Sequence, residues 1–383
     1  MSDSSAEKKA RRAAWFWKTF RPIVHRILKR RFRYDLKPGD LPEGGFLFYS
    51  SHETDLDPLF VGCASTVPLA FVTTEAVHRM GLLSKFIDRW FYTIDRYKGG
   101  TDAACALQGL RTVKQGRPVC MFPSGERAFT GRSPAIPFAS AKIARSAKVP
   151  LVTFRISGGY LTSPRWADTM RKGVVHGKIV HIYSPEELAS LSAEALHARI
   201  TADLFVDAYA LPPVPYRGRR LAERLETALY LCPRCGRADK LKSKGCAFFC
   251  ECGLTAQLDE TGRFSDSAPF LHPGAWDDWQ QARMRELAAA ASDEPVFSDD
   301  GMQLFLLDEN HALQPVAQGR MTMSGVSFTL GDFSAPLSAL DGFGLTQKDK
   351  LSFTLSGAHY AIRAAQPFCA RKYCDLFRCV RAL

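Results

Sequence analysis

A histidine and an aspartate lie five positions apart just after a short apolar run. His52 and Asp57 follow the apolar residues 46–49, and Pro58 follows Asp57. The apolar run predicts a buried strand, and the Asp-Pro pair predicts a helix with Asp57 as N-cap and Pro58 at its first position. Residues five apart point to different faces of a helix, so the two side chains can meet only if the segment between them is a loop.

Such a pair could activate a hydroxyl group. A carboxylate that accepts a hydrogen bond from one imidazole nitrogen fixes the tautomer and leaves the other nitrogen free to take a proton. We therefore predict that Asp57 orients His52 and that His52 is a general base. The alternative is a surface histidine beside a capping aspartate, and a lone H-x-x-x-x-D spacing does not exclude it.

Three further blocks follow this pair along the chain. They are Ile94-Asp95-Arg96, Phe122-Pro123-Ser124-Gly125-Glu126-Arg127 and Val149-Pro150. With the His52 block, they resemble the motifs of the glycerolipid acyltransferase family that includes 1-acylglycerol-3-phosphate acyltransferases. The resemblance covers about residues 40–210. In the third block the family has Glu and then Thr where this chain has Ser124 and Glu126, so the carboxylate is displaced by two residues.

The resemblance implies a reaction and a set of ligands. His52 would deprotonate the hydroxyl of a lysophospholipid as it attacks a fatty acyl thioester of coenzyme A or acyl carrier protein, and Asp57 would support the imidazolium. The expected acceptor is 1-acylglycerol-3-phosphate, which would become phosphatidic acid; another lysophospholipid or glycerol-based alcohol is an alternative. The residues expected to bind the acceptor are Arg96, Lys98, Gly125, Glu126 and Arg127. Guanidinium groups match phosphate oxygens in paired geometry, and Gly125 lets the backbone approach closely.

The elements that must position these residues alternate along the chain. Strands are predicted at 67–72, 91–94, 118–122, 149–156 and 174–182, with helices at 75–80, 82–90, 101–115 and 137–147. This alternation predicts an α/β domain over residues 38–212, a mainly parallel sheet covered by helices with its chemistry at the carboxyl ends of the strands. A capping box at Ser184 opens a helical region to about Ala210, and the proline-rich stretch 211–215 ends the domain.

The segment 1–37 is strongly basic. It holds twelve Lys and Arg residues against three Asp and Glu residues, most of the formal net charge of +12. Aromatic and aliphatic residues recur there at helical spacing, which is typical of an amphipathic helix on an anionic membrane surface, with Pro22 kinking or dividing it. The alternative is a helix packed on the catalytic domain, and we expect a share of both. No apolar run is long enough to span a bilayer, so a peripheral, monotopic protein on the cytoplasmic face is expected.

The eleven cysteines and the expected lack of a secretory signal favour a reducing compartment. Four of them predict a structural zinc ribbon over residues 222–265, with Cys246 as a substitute ligand: Cys232, Cys235, Cys250 and Cys252. Redox chemistry or plain buried cysteine is the alternative.

Beyond the cysteines, residues 266–292 are predicted as a helix and residues 293–383 as a β module with a terminal helix at 368–380. The strands of this module are predicted at 303–306, 314–317, 320–323, 326–330, 351–355 and 359–362. That pattern indicates a small barrel or sandwich similar to pleckstrin-homology-like modules. Two other functions remain open. One is a membrane-associated lipid-binding or scaffolding protein on a decayed acyltransferase. The other is a zinc-dependent nucleic-acid-binding protein using the basic residues 234, 237, 240, 242 and 244, although no nucleic-acid partner is expected because the charge there is modest.

Overall fold

The structure is a computed structural model that describes residues 3–37, 39–74, 82–96, 103–308, 312–346, 350–364, 366 and 368–382. It divides into two compact units. The first comprises Met1–Arg96, Asp102–Arg165 and Thr169–Gly218, and the second comprises Tyr97–Thr101, Trp166–Asp168 and Arg219–Leu383.

A seven-stranded sheet forms the centre of the first unit, in the order β1-β7-β6-β2-β5-β3-β4. Every described pairing is parallel except that of β6 with β7, which is antiparallel. The prediction of a mainly parallel sheet is confirmed. The strands are β1 Asp35–Lys37, β2 Leu47–Ser50, β3 Ala70–Thr74, β4 Thr93–Arg96, β5 Val119–Met121, β6 Leu151–Ser157 and β7 His176–Tyr183.

Helices cover both faces of this sheet. Along β2 and the residue before it, Phe46 and Phe48 pack in one apolar cluster while Leu47 and Tyr49 pack in another. Alternate side chains of a strand point to opposite faces, so a strand buried on both faces reads as a continuous apolar run. The helices are α1 Asp3–Phe32, α2 Asp57–Ala64, α3 Leu82–Trp90, α4 Ala103–Lys114, α5 Ala139–Ala147, α6 Gly159–Thr162, α7 Pro185–Ser190 and α8 Ala193–Leu204.

The basic segment is a single helix that runs through Pro22, so the prediction that this proline divides it is wrong. One side of α1 contributes to the core of the first unit, where Trp17, Leu28 and Phe32 are buried. A Cβ atom at Gly62 of α2 would lie 2.6 Å from the Trp17 ring, so the two helices approach closely there. The opposite side exposes large apolar side chains: Trp15, Phe20, Ile23 and Ile27.

Some local predictions need correction. The spacing of Leu107 and Val113 predicts that both lie on one apolar face of the 101–115 helix, but Leu107 of α4 is 54% exposed whereas Val113 is buried. The helical region opened by Ser184, whose side chain accepts a hydrogen bond from the Glu187 amide, ends at Leu204 instead of Ala210. The helix predicted at 75–80 lies outside the described residues.

The second unit is antiparallel. Three short strands form one sheet in the order β10-β9-β8, and seven form another in the order β14-β13-β12-β11-β17-β16-β15. Phe333 of β14 contacts Tyr360 of β17 across 5.5 Å between ring centroids, so the larger sheet curls on itself. The sequence predictions omitted β14 and β15 and split β12 in two. The elements are β8 Leu241–Lys244, β9 Ala247–Cys250, β10 Thr255–Gln257, α9 Pro273–Ala289, β11 Phe297–Leu307, β12 Leu313–Met323, β13 Ser327–Leu330, β14 Phe333–Pro336, β15 Leu340–Thr346, β16 Lys350–Leu355, β17 Ala358–Ala364 and α10 Arg371–Arg381.

Within the part of the chain that the structure describes, none of the helices combines the length and apolar character required to cross a bilayer.

Candidate active site

The loop between β2 and α2 folds around the carboxylate of Asp57. This carboxylate accepts hydrogen bonds from the backbone amides of Glu53 and Thr54 and from the Thr54 hydroxyl. The N-cap of α2 is Leu56, with no side-chain cap, and Asp57 is the first helical residue. The predicted capping role is therefore wrong, because the Asp57 side chain turns back to the loop that precedes its own helix.

The same carboxylate holds the imidazole of His52. The His52 Nδ1 atom lies 2.8 Å from Asp57 Oδ2, and the two side chains are 20% and 0% exposed, respectively. The Phe122 ring stacks on the imidazole at 4.4 Å between centroids. A proton on Nδ1 shared with the carboxylate leaves Nε2 as the basic nitrogen, which is the tautomer a general base requires. The predicted meeting of His52 and Asp57 is thus present in the structure.

His52 lines a small, partly open cleft beside the carboxyl ends of the strands. Its other walls come from the end of β2, the loop after β5 and the end of α8. They are a mixture of hydroxyl and apolar side chains that includes Ser51, Ser124, Ile136, Leu204 and Phe205. Such walls offer both polar and apolar contacts to a group that approaches His52.

The loop after β5 contains the second predicted group of site residues and is fastened to the His52 loop. The Ala128 amide donates to the His52 carbonyl at 3.1 Å. Gly125 has a φ of +66°, which favours glycine, and its amide donates to the Phe122 carbonyl. Arg127, 14% exposed, lies 3.0 Å from the carboxylate of Asp55, which is 77% exposed. Gly125, Glu126 and Arg127 therefore lie in a loop bound directly to the His52 loop.

Glu126 is 39% exposed and its carboxylate lies 3.9 Å from Arg165, which is almost fully buried. The Arg165 guanidinium also stacks over the Phe129 ring at 4.9 Å. A buried arginine behind the loop was not among the sequence predictions. It places a fixed positive charge beside a carboxylate of the predicted acceptor site.

The structure describes only part of the predicted acceptor-binding residues at the end of β4. Arg96 is the last residue of β4, which lies at the edge of the sheet beside β3, and its side chain lies outside the described residues. Lys98 also lies outside them. Because β4 is parallel to β3, Arg96 lies on the side of the sheet where the parallel strands have their carboxyl ends, as does the end of β2.

The sequence reasoning missed three residues between His52 and Asp57. Thr54 supplies two hydrogen bonds to Asp57, Asp55 pairs with Arg127, and Glu53 is fully buried. Burial raises the pKa of the Glu53 carboxyl to about 8, with a smaller contribution from the negative charge of Asp57. An H-x-x-x-x-D spacing says nothing about the four positions inside it, so no signal pointed to them.

Four cysteines of the second unit form a compact cluster. The Sγ atoms of Cys232, Cys235, Cys250 and Cys252 all lie within 4.8 Å of one another. Tetrahedral zinc with Zn–S bonds of about 2.3 Å requires sulfur atoms about 3.8 Å apart. The Cys232–Cys252 and Cys235–Cys250 distances are 3.7 and 3.8 Å, so the donor set fits zinc. The Cys246 thiol instead donates to the Arg219 carbonyl.

Residues 33–157 match the family model described as Acyltransferase. For this segment, the match confirms the family resemblance inferred from the motifs.

Two individual proteins illustrate the similarity. A probable 1-acyl-sn-glycerol-3-phosphate acyltransferase from Mycoplasma pneumoniae is 29% identical over 139 residues, which are 34% of this chain and 52% of that protein. The chain thus spans about half the length of this curated relative. The crystal structure of the 1-acyl-sn-glycerophosphate acyltransferase PlsC from Thermotoga maritima superposes with a TM-score of 0.43 and 18% identity, over 49% of this chain and 76% of that one.

Proposed function

We propose that the first unit transfers a fatty acyl group from a thioester to the hydroxyl of a lysophospholipid, most plausibly 1-acylglycerol-3-phosphate. The observation that carries this proposal is the His52–Asp57 hydrogen bond inside a cleft next to the acceptor loop. The match to the acyltransferase family model supports acyl transfer, and the similarity to a probable 1-acyl-sn-glycerol-3-phosphate acyltransferase from Mycoplasma supports this acceptor.

In this reaction the acceptor hydroxyl gives its proton to Nε2 of His52 as its oxygen attacks the thioester carbonyl. The C–S bond then breaks, and the leaving thiolate takes the proton back from the imidazolium. Asp57 stabilises the transient positive charge and prevents the ring from rotating. The reaction needs no covalent acyl-enzyme. The ester oxygen comes from the acceptor, and the thiol leaves protonated.

The acceptor phosphate is proposed to bind at the loop after β5. Arg127 offers a guanidinium group, and Gly125, which has no side chain, lets a phosphate approach the backbone closely. Arg96 and Lys98 are proposed to complete the phosphate site from the end of β4. The donor is proposed to be an acyl-CoA or an acylated carrier protein.

The decisive assay supplies purified protein with a panel of lysophospholipids and either acyl-CoA or acylated carrier protein, and identifies the product by mass. We expect a diacyl product with one or more lysophospholipids and none with His52→Ala. His181 is the matched control, since it also contacts a carboxylate, Glu187, at 3.1 Å but lies on an exposed part of β7. Equal turnover by His52→Ala and His181→Ala would refute the proposed chemistry and favour a lipid-binding or scaffolding function.

We also propose that α1 attaches the protein to the cytoplasmic face of an anionic membrane. The exposed side chains of Ile23 and Ile27, at 54% and 59%, lie among basic residues that would face lipid headgroups. Because the other side of α1 is in the core, removal of the helix would unfold the unit, and point substitutions are the better test. The double variant Ile23→Gln, Ile27→Gln should bind vesicles containing phosphatidylglycerol more weakly. The similarly exposed Val316 provides the control, and an equal loss with Val316→Gln would contradict the proposal.

For the second unit we propose a zinc ribbon followed by a pleckstrin-homology-like module. Zinc bound by Cys232, Cys235, Cys250 and Cys252 would hold the fold of residues 222–265, with all four positions filled by protein. Seven antiparallel strands followed by α10 support the comparison with that module. Metal analysis should find about one zinc per chain. Loss of zinc in Cys232→Ser, Cys235→Ser but not in Cys246→Ser would support the assignment, and retention in both would refute it.

A further inference from the structure

Glu53 lies next to the pair formed by His52 and Asp57. Its side chain is 0% exposed. Its Oε2 atom accepts a hydrogen bond from the backbone amide of Tyr160, at the start of α6, at 3.0 Å. Its own amide donates to Asp57 Oδ2. Glu53 therefore links three things: the catalytic loop, the Asp57 carboxylate and the segment that follows β6.

The residues around this link are closely packed. A Cβ atom at Gly159 would lie 2.7 Å from the Cβ of Glu53 and 3.1 Å from the Thr54 methyl group. Gly159 thus lets α6 approach the catalytic loop to van der Waals contact. The second carboxyl oxygen, Oε1, is buried and has no hydrogen-bond partner among the residues that the structure describes.

The surroundings of Glu53 favour its neutral form. Asp57 contributes negative charge from α2, and His52 is the adjacent residue on the loop. Tyr216 interacts electrostatically with Glu53 from the segment after α8. Burial raises the pKa of Glu53 to about 8, and the Asp57 charge adds to the effect. A buried carboxylate that accepts a single amide hydrogen bond is costly, whereas a carboxylic acid is tolerated.

We propose that Glu53 is a positioning residue whose neutral carboxyl group fixes the His52–Asp57 pair, and that its ionisation disables the pair. Ionisation would place a second negative charge beside Asp57 in a site closed to water. The repulsion would act through the Glu53 amide and the loop, and it would disturb the hydrogen bond that orients His52. The proposal deepens the acyl-transfer function above and rests on it.

The test compares wild type with Glu53→Gln and Glu53→Ala in acyl transfer over pH 6 to 10. Glutamine keeps the shape and the oxygen that accepts from Tyr160 but cannot ionise. We expect wild-type kcat to fall about tenfold per pH unit above the pKa of Glu53, while Glu53→Gln loses this decline and stays within about threefold of wild type at pH 7. Glu53→Ala should have reduced kcat at every pH and an unchanged KM for the acceptor. A parallel alkaline decline in wild type and Glu53→Gln would overturn the proposal.

A second measurement does not depend on acyl transfer. Carbon-13 NMR of labelled glutamate carboxyls, with the Glu53 signal identified by its absence in Glu53→Gln, gives the pKa of Glu53 in the intact protein. A titration near 8, accompanied by a shift of the His52 ring signals, supports the proposal. A titration near 4.5 overturns it, even if the protein proves to have no acyltransferase activity, in which case the proposed function fails separately.

Discussion

Buried charged side chains have different kinds of partners in the two units. In the first unit, the fully buried Asp57 is held by an imidazole, two backbone amides and a hydroxyl. In the second unit, Arg371 lies 2.8 Å from Asp277 and 3.3 Å from Asp375. The fully buried Lys372 ammonium similarly lies between two carboxylates, those of Asp239 and Asp299.

The difference separates a site for chemistry from a site for folding. In the second unit each buried cation has carboxylate partners, so its charge state is fixed. Burial alone would favour the neutral acid of Asp375, but Arg371 and Arg378 hold the pKa of this group below its usual value. In the first unit the partner of Asp57 is a histidine, which can gain and lose a proton near neutral pH. The first arrangement therefore suits the proposed proton transfer, whereas the carboxylates of the second favour the charged forms of Arg371 and Lys372.

The largest expected effect is that of removing the histidine. His52→Ala should lower kcat by about 10²–10⁴-fold, the usual contribution of a general base, while the free energy of unfolding changes little. The check is product formation together with circular dichroism and urea unfolding. A variant that loses activity because it unfolds would assign His52 to the fold instead of the reaction.

Removing a charge from the second unit should have the reverse effect. Arg371→Met leaves Asp277 and Asp375 without their shared cation, and we expect a loss of about 3–5 kcal/mol in the free energy of unfolding of that unit. Acyl transfer per folded molecule should be unchanged. Arg283→Met is the control, since Arg283 forms an exposed pair with Glu286 and should cost about 0.5 kcal/mol or less. Equal losses of unfolding free energy in the two variants would show that the buried ion pairs contribute no more to stability than the exposed pair.

A smaller effect is expected from the hydroxyl that supports Asp57. Thr54→Val keeps the shape of the side chain but removes the hydrogen bond to Asp57 Oδ1, so kcat should fall about three- to tenfold. Thr112→Val removes a buried hydroxyl of α4 that bonds only locally, to Gln108, and kcat should not change. If Thr112→Val and Thr54→Val have the same kcat, the Asp57 carboxylate does not depend on its neutral donors.

The smallest effect should be a gain. Asp55 is largely exposed and pairs with Arg127, so it competes with an acceptor phosphate for that guanidinium. Asp55→Asn should lower the KM for a phosphate-bearing acceptor by about two- to fivefold, in line with the weak energy of exposed ion pairs. The KM for the acyl donor serves as the internal reference. A raised acceptor KM would mean that Asp55 assists substrate binding.

Periodic and motif signals predicted much of the first unit. The apolar run at 46–49 gave a strand buried on both faces, and the residues 82–90 were predicted as the helix that the structure shows. His52 and Asp57 were predicted to meet because their spacing requires a loop. Two predicted strands form the single strand β12, and β14 was not predicted. These differences show the limit of predicting strands from local patterns, since cross-strand pairing decides where such short strands end.

Other features could not be predicted because they depend on contacts distant in sequence. Pro22 does not divide α1, one side of which packs in a core that includes Phe60 of α2. The direction of the Asp57 carboxylate depends on loop amides, and the burial of Glu53 depends on Tyr160, more than a hundred positions away. No local pattern carries such information.

The close contact at Gly159 has a consequence for how sequence variation in this protein should be interpreted. A survey of all substitutions scored by activity would rank position 159 among the most intolerant, because any side chain would separate Glu53 from its amide partner. An observer without the structure would place this glycine in the substrate site. Its intolerance would instead measure how closely a second layer of backbone must approach the loop that carries the histidine.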